Sequence, residues 1–173
     1  MTLSLYDVSV SNYLQTLDAV SGFLDKAAAH CRENGIDPEE MVESRIFTDM
    51  RPLRFQIQLV AFHSLGAIDA IRKGVLEFPA QRPSHDYAGL QALIVETRAA
   101  LRKLTPEEVN ALSGAVVTSK TGESERIFTA EGFVLSFSLP NFYFHATTAY
   151  DILRMKGVPL GKRDFMGALR LKS

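Results

Sequence analysis

The stretch SLYDVSVSNYLQTLDAVSGFLDKAAAHCRENG, residues 4–35, decides the fold. Apolar or small side chains recur at Tyr6, Val10, Tyr13, Leu17, Val20, Leu24, Ala27 and Cys31. Alternating steps of four and three put them on one face of a long first helix, which Gly35 closes. A face that wide must be buried against other helices. Asp37-Pro38-Glu39-Glu40 then reads as a fresh helix start, with Asp37 as cap and proline at the first helical position, for a short helix to about Glu43.

A second helix is predicted from Pro52 to about Lys73, before Gly74. Its apolar residues (Leu53, Phe55, Ile57, Leu59, Val60, Phe62, Leu65 and Ile68) nearly encircle it. Such a helix is central or is covered by a second subunit, and a homodimer is the expectation drawn from it. Phe78 to Ser84 holds two prolines and reads as a loop. A third helix spans about Asp86 to Leu104, and Thr105-Pro106-Glu107-Glu108 is a capping box opening one or two further turns. Ala115–Ser119 and Glu125–Thr129 flank Thr121-Gly122-Glu123-Ser124 and suggest a small hairpin packed on the helices. Thr129 is placed to cap a fourth helix running to about Lys156, broken or kinked by Pro140 and closed by Gly157. The tail from Gly157 reads as irregular. With no repeat, linker or low-complexity segment, residues 1–173 are expected to form one domain.

Composition bounds the function. The chain has 173 residues, 46 % apolar and 23 % charged, with a formal net charge of -1. That balance gives no electrostatic ground for nucleic acid or an anionic membrane as partner. The longest uncharged run, Gly132 to Tyr150, contains Pro140, Asn141 and His145 and is poor for lipid. The N-terminal residues carry no secretory pattern. A single cysteine, Cys31, excludes an intrachain disulfide and a cysteine-rich zinc site. A cytoplasmic protein is expected.

Two segments carry a family resemblance: SLPNFYFHATTAYDILRMKGVPLGKRDFMG, residues 138–167, and the pair SLYDVSVSNYLQTL with TDMRPLRFQIQ, residues 48–58. Both resemble an uncharacterised bacterial family, domain of unknown function nineteen ninety-three, in order and length over nearly the whole chain. That family is similar to the DinB-like (YfiT-like) superfamily. The resemblance implies an all-α, up-down-down-up four-helix bundle with a long crossover between helices two and three, here carrying the hairpin between helices three and four. Many superfamily members bind a divalent metal through one histidine on helix two and an H-x-x-x-H pair on helix four, and some are thiol-dependent transferases or isomerases.

Leu153-Arg154-Met155-Lys156-Gly157 resembles the superfamily's helix-four terminator. Counting back from it puts His145 at the second histidine position and Asn141 at the first, with His63 as the third ligand candidate. Two histidines and an amide are a weak donor set for zinc, so neither metal nor cofactor is expected. Asn141, His145 and Thr148 share one helical face. The two readings of that row are a hydrogen-bonded structural network and a remnant pocket for a small polar ligand.

His63 lies on a stripe with Gln56, Val60 and Ala67, either as a core-edge histidine or as a proton-transfer partner facing His145. Asp49, in Thr48-Asp49-Met50-Arg51-Pro52, either caps helix two or pairs with Arg51 or Lys162 at a pocket rim. Cys31 reads as a small hydrophobe, with His30 pointing away from it, and His85 reads as solvated. Lys162, Arg163 and Asp164 form a charged cluster of surface or interface type. No nucleophile elbow, phosphate loop or paired-carboxylate motif is present. The expectation is a non-catalytic or small-ligand-binding homodimer with a degenerate metal site. The alternative is a thiol-dependent transferase or another metal-dependent enzyme of the superfamily.

Overall fold

The computed structural model describes residues 3–121 and 124–172. The chain is mostly helical, with one small sheet. The first predicted helix forms as α1 (Leu5–Val8) and α2 (Val10–Asn34), and Gly35 closes α2 at φ +66°, in the left-handed region where glycine is unstrained. Its predicted stripe is the core: Val10, Tyr13, Leu17, Val20, Leu24, Ala27 and Cys31 are all buried. Next come α3 (Glu39–Val42), α4 (Leu53–Phe62), α5 (Leu65–Lys73), α6 (Tyr87–Leu101) and α7 (Pro106–Asn110). After the sheet follow α8 (Ala130–Phe133), a π-helical turn (Val134–Ser138), α9 (Leu139–Met155) and α10 (Lys162–Met166). Two caps read from sequence form: Thr105 and Thr129 each accept a backbone N–H at the start of α7 and α8, and Asp86 does the same for α6.

α2 packs on α6 and α9, and α4 packs on the same two helices. The apolar ring of the second predicted helix is therefore covered by its own chain. Leu53, Ile57, Leu59, Val60 and Ile68 are buried, and Phe55, Phe62 and Leu65 are partly buried. Of the two explanations for an all-round apolar helix, the central position accounts for it, and the ring itself does not call for a second subunit. Among the described residues no helix is long and apolar enough to cross a membrane.

The hairpin forms from β2 (Val116–Thr121) and β3 (Ser124–Thr129), antiparallel with Val116 opposite Thr129. Gly122 and Glu123 of its predicted turn lie outside the described residues. A third strand, β1 (Val75–Leu76), joins β2 in parallel directly after Gly74. Two residues are too few to show alternation, so sequence periodicity is blind to β1. The tail also differs from expectation. It holds α10, packed on α2, where Asp164 accepts the Gly161 N–H at 2.7 Å and the Lys26 ammonium at 2.5 Å.

The largest departures from the predicted helices are two breaks. Ser9 and Ser64 divide the first and second helices at nearly the same backbone angles, φ -110° with ψ -85° and -82°. Both hydroxyls are buried and donate to the carbonyl four residues back, Leu5 and Val60. This bond competes with the helical ladder and bends it. On the fourth helix the kink expected at Pro140 is taken up by the π turn just before it. Proline lacks the N–H that would bond Ser136, and the wider turn absorbs the mismatch.

One buried chain of hydrogen bonds ties these irregular stretches together. Ser138 Oγ, at the end of the π turn, donates to the His63 carbonyl at 2.6 Å. That leaves the Tyr13 hydroxyl to donate to Ser138 Oγ, at 2.5 Å. Ser138→Ala strands both Tyr13 and the His63 carbonyl, and a loss of about 2 kcal/mol in urea unfolding is expected. Tyr13→Phe removes a donor whose acceptor stays bonded elsewhere, so about 1 kcal/mol is expected, and the double variant should cost less than the sum.

Candidate functional site

The break after α4 and the turn before α9 bring His63 and His145 together. Their rings are nearly parallel, 10° apart, with centroids 5.7 Å from one another. His63 is 3 % exposed and His145 9 %. Aromatic edges surround the pair: Phe62 and Phe137 meet His63, and Phe55 and Phe144 meet His145.

The His145 tautomer follows from its partner. Gln56 Nε2 donates to the Arg51 carbonyl at 2.8 Å, which turns Gln56 Oε1 towards His145 Nδ1 at 2.7 Å. An amide oxygen only accepts, so Nδ1 carries the proton and Nε2 keeps its lone pair. Neither nitrogen of His63 nor Nε2 of His145 is bonded within the described residues. No buried polar side-chain atom among those residues lacks a partner, so these three nitrogens keep a contact with solvent.

Both imidazoles are held neutral. Burial, then the neighbouring His145, then the Arg82 guanidinium push His63 down to about 3. Burial and Arg82 push His145 down to about 4. Arg82 itself is drawn below the usual arginine range by burial and by the like charge of Arg51.

The other residues of the predicted site are used differently. Asn141 Nδ2 donates to the Phe137 carbonyl at 2.7 Å, and Thr148 Oγ1 donates to the Phe144 carbonyl at 2.8 Å. Both side chains serve their own helix. Asp49 is exposed and makes no hydrogen bond or ion pair among the described residues. It caps nothing either: α4 starts at Pro52 without a side-chain cap, and the Leu53 N–H is taken by the Ser44 carbonyl. His85, expected in solvent, is half-buried, with Gln58 Nε2 donating to its Nδ1 at 2.9 Å. Cys31 lies in the core 3.8 Å from the Met41 sulfur, and burial raises its thiol.

The elements beside the histidines were missed in the sequence. Arg51 and Arg82 both stand over the Phe55 ring, 5.5 and 5.1 Å from its centroid. They wall a cleft of about 540 Å³ between α4 and the 79–84 loop. The loop is pinned from α4: Gln58 Nε2 donates to the Pro83 carbonyl at 2.7 Å, and Arg54 donates to Ser84 Oγ at 2.9 Å. The spacing of Arg51 and Phe55, four residues apart, was a local signal. Arg82 comes from a loop and had none.

A divalent metal fits this donor set poorly. Among the described residues no three of histidine, cysteine, aspartate or glutamate gather to hold one. Two histidines alone are too few ligands, Asp49 does not gather with them, and a guanidinium close enough to depress both histidines repels a dication.

The architecture is similar to that of a DinB family member. The crystal structure of a DinB family member protein from Shewanella denitrificans matches with a TM-score of 0.82 and 27 % identity, covering 98 % of this chain and 95 % of that one. The chain itself belongs to the family described as Domain of unknown function (DUF1993), which it matches over residues 5–166. No curated protein matches it.

The neutral histidines make stability acid-sensitive. Each ring has its ordinary value, 6.5, when unfolded and a lower one when folded. The unfolded chain therefore binds more protons on acidification. The stabilisation is complete above pH 6.5 and is lost as pH falls towards 4 and 3. Urea unfolding should lose about 2 kcal/mol or more between pH 7 and pH 5. His63→Leu and His145→Gln should each flatten that slope; an unchanged slope in both would assign the acid sensitivity to other groups.

Proposed function

We propose that the chain is a non-catalytic, small-ligand-binding bundle whose histidine pair backs a solvent-reached cleft and is the remnant of a metal site. The observation that carries this reading is the pair itself. Two neutral, parallel imidazoles keep unbonded nitrogens, with an arginine nearby and, among the described residues, no carboxylate or third histidine gathered with them. His63 offers a ligand one donor and one acceptor, and His145, whose Nδ1–H is given to Gln56, offers Nε2 as an acceptor.

The reading takes residues 1–173 as one domain with an up-down-down-up arrangement. In it α2, the α4–α5 pair, α6 and α9 are the four long segments, and 74–86 is the crossover. The packing of α2 and α4 each against α6 and α9 supports it. A cytoplasmic homodimer belongs to the same proposal. Its support is the apolar surface left on the fourth-helix segment, where Leu135 is 54 % and Phe144 57 % exposed.

Elemental analysis of protein purified without chelators tests the central point, and far less than one metal per chain is expected. Stoichiometric zinc or nickel that disappears in His145→Ala would overturn the reading in favour of a metal-dependent enzyme. Light scattering tests the dimer. Twice the 19.2 kDa chain mass is expected at micromolar concentration, and a 19.2 kDa species alone would refute association.

A further inference from the structure

The charge of the cleft selects what enters it. Its wall carries Arg45, Arg51, Arg54 and Arg82 against one acid, Glu43. Glu43 is spent on Arg54. Among the described residues Arg45, Arg51 and Arg82 have no carboxylate partner, in a chain whose net charge is only -1. Two of these guanidiniums are held over one aromatic ring. Arg82 also reaches the Phe62 ring at 5.9 Å, and its loop is tied down on both following residues, Pro83 and Ser84. Crowding two cations on a partly buried ring is unfavourable unless an anion neutralises them. Arginine forks suit carboxylate and phosphate oxygens.

A second recess adjoins the first. It measures about 280 Å³, is lined by Ala61, Phe62, Pro79 and Leu93, and shares Gln58, Arg82 and Pro83 with the charged cleft. Arg82 thus stands where a strongly basic space meets an apolar one.

We propose that this double cleft binds a small amphipathic organic anion: a carboxylate or phosphate group held by Arg51 and Arg82, and a short apolar body against Phe62 and Leu93. This names the ligand class for the binding reading above and rests on it. The guanidiniums supply the charge, the Phe62 face and Leu93 the apolar contact, and the neutral histidines lie behind Phe55 and Phe62. The same positive charge that repels a metal ion attracts this ligand.

NMR titration of the full chain with four probes decides the matter: benzoate, phenyl phosphate, inorganic phosphate and neutral benzamide. Benzoate and phenyl phosphate should give saturable shifts at millimolar concentration, inorganic phosphate weaker ones, and benzamide none. The order of the two aromatic anions tells carboxylate from phosphate preference. Arg82→Gln and Arg51→Gln should each weaken the aromatic anions about tenfold or more, with unchanged circular dichroism as the check on folding.

Benzamide binding as tightly as benzoate would overturn the anion assignment. So would the absence of saturable shifts from both aromatic anions up to about 10 mM, or anion affinity unchanged in both variants. Imidazole nitrogen shifts separate the two readings. Benzoate binding lost in Arg82→Gln with the His63 and His145 nitrogens unmoved would uphold the anion site and refute the histidine-backed cleft. Benzamide binding that moves those nitrogens would do the reverse.

Discussion

The Ser138 hydroxyl holds together two stretches of backbone that depart from regular helix. It donates to the carbonyl of His63, at the break between α4 and α5, and accepts from Tyr13 in the core face of α2. Each break alone leaves backbone groups unpaired, and unpaired buried groups are costly. The Ser138 hydroxyl supplies a partner to the His63 carbonyl. The same junction sets where His63 ends α4 and where α9 begins, which brings His145 opposite it. The histidine pair is therefore a consequence of how the core resolves Ser64 and Pro140.

Around that junction the electrostatics run one way. Burial lowers both imidazoles, and Arg82 lowers them further. Gln56 fixes the proton of His145 on Nδ1 and is itself held by the Arg51 carbonyl. Arg51 thus serves the site twice, through its backbone on the histidine side and through its guanidinium over Phe55. The surroundings favour neutral rings over charged ones.

Much of this was legible in the residues. The stripe of α2, the caps Thr105 and Thr129, and the glycine stops at Gly35 and Gly74 are local signals that local physics obeys. His63 and Gln56 were visible on one helical stripe. The pairing of Gln56 with His145, 89 residues apart, was not, because a hydrogen bond between helices leaves no spacing to read. Ser64 looks like any helical serine until its burial and its bond back to the Val60 carbonyl are known. Arg82 sits in a proline-rich loop whose path is set by Gln58 and Arg54, and no periodicity points to it. Asn141 and Thr148 were read as one face with His145, but a helical wheel does not say that both side chains turn back to the carbonyls four residues earlier, Phe137 and Phe144.

Long-range proton–nitrogen correlation of the imidazole rings near pH 6 tests the account most directly, because free histidine is largely charged there. Two neutral rings are expected, with the His145 proton on Nδ1 and a bare Nε2. A charged ring at either position, or the His145 proton on Nε2, would contradict it.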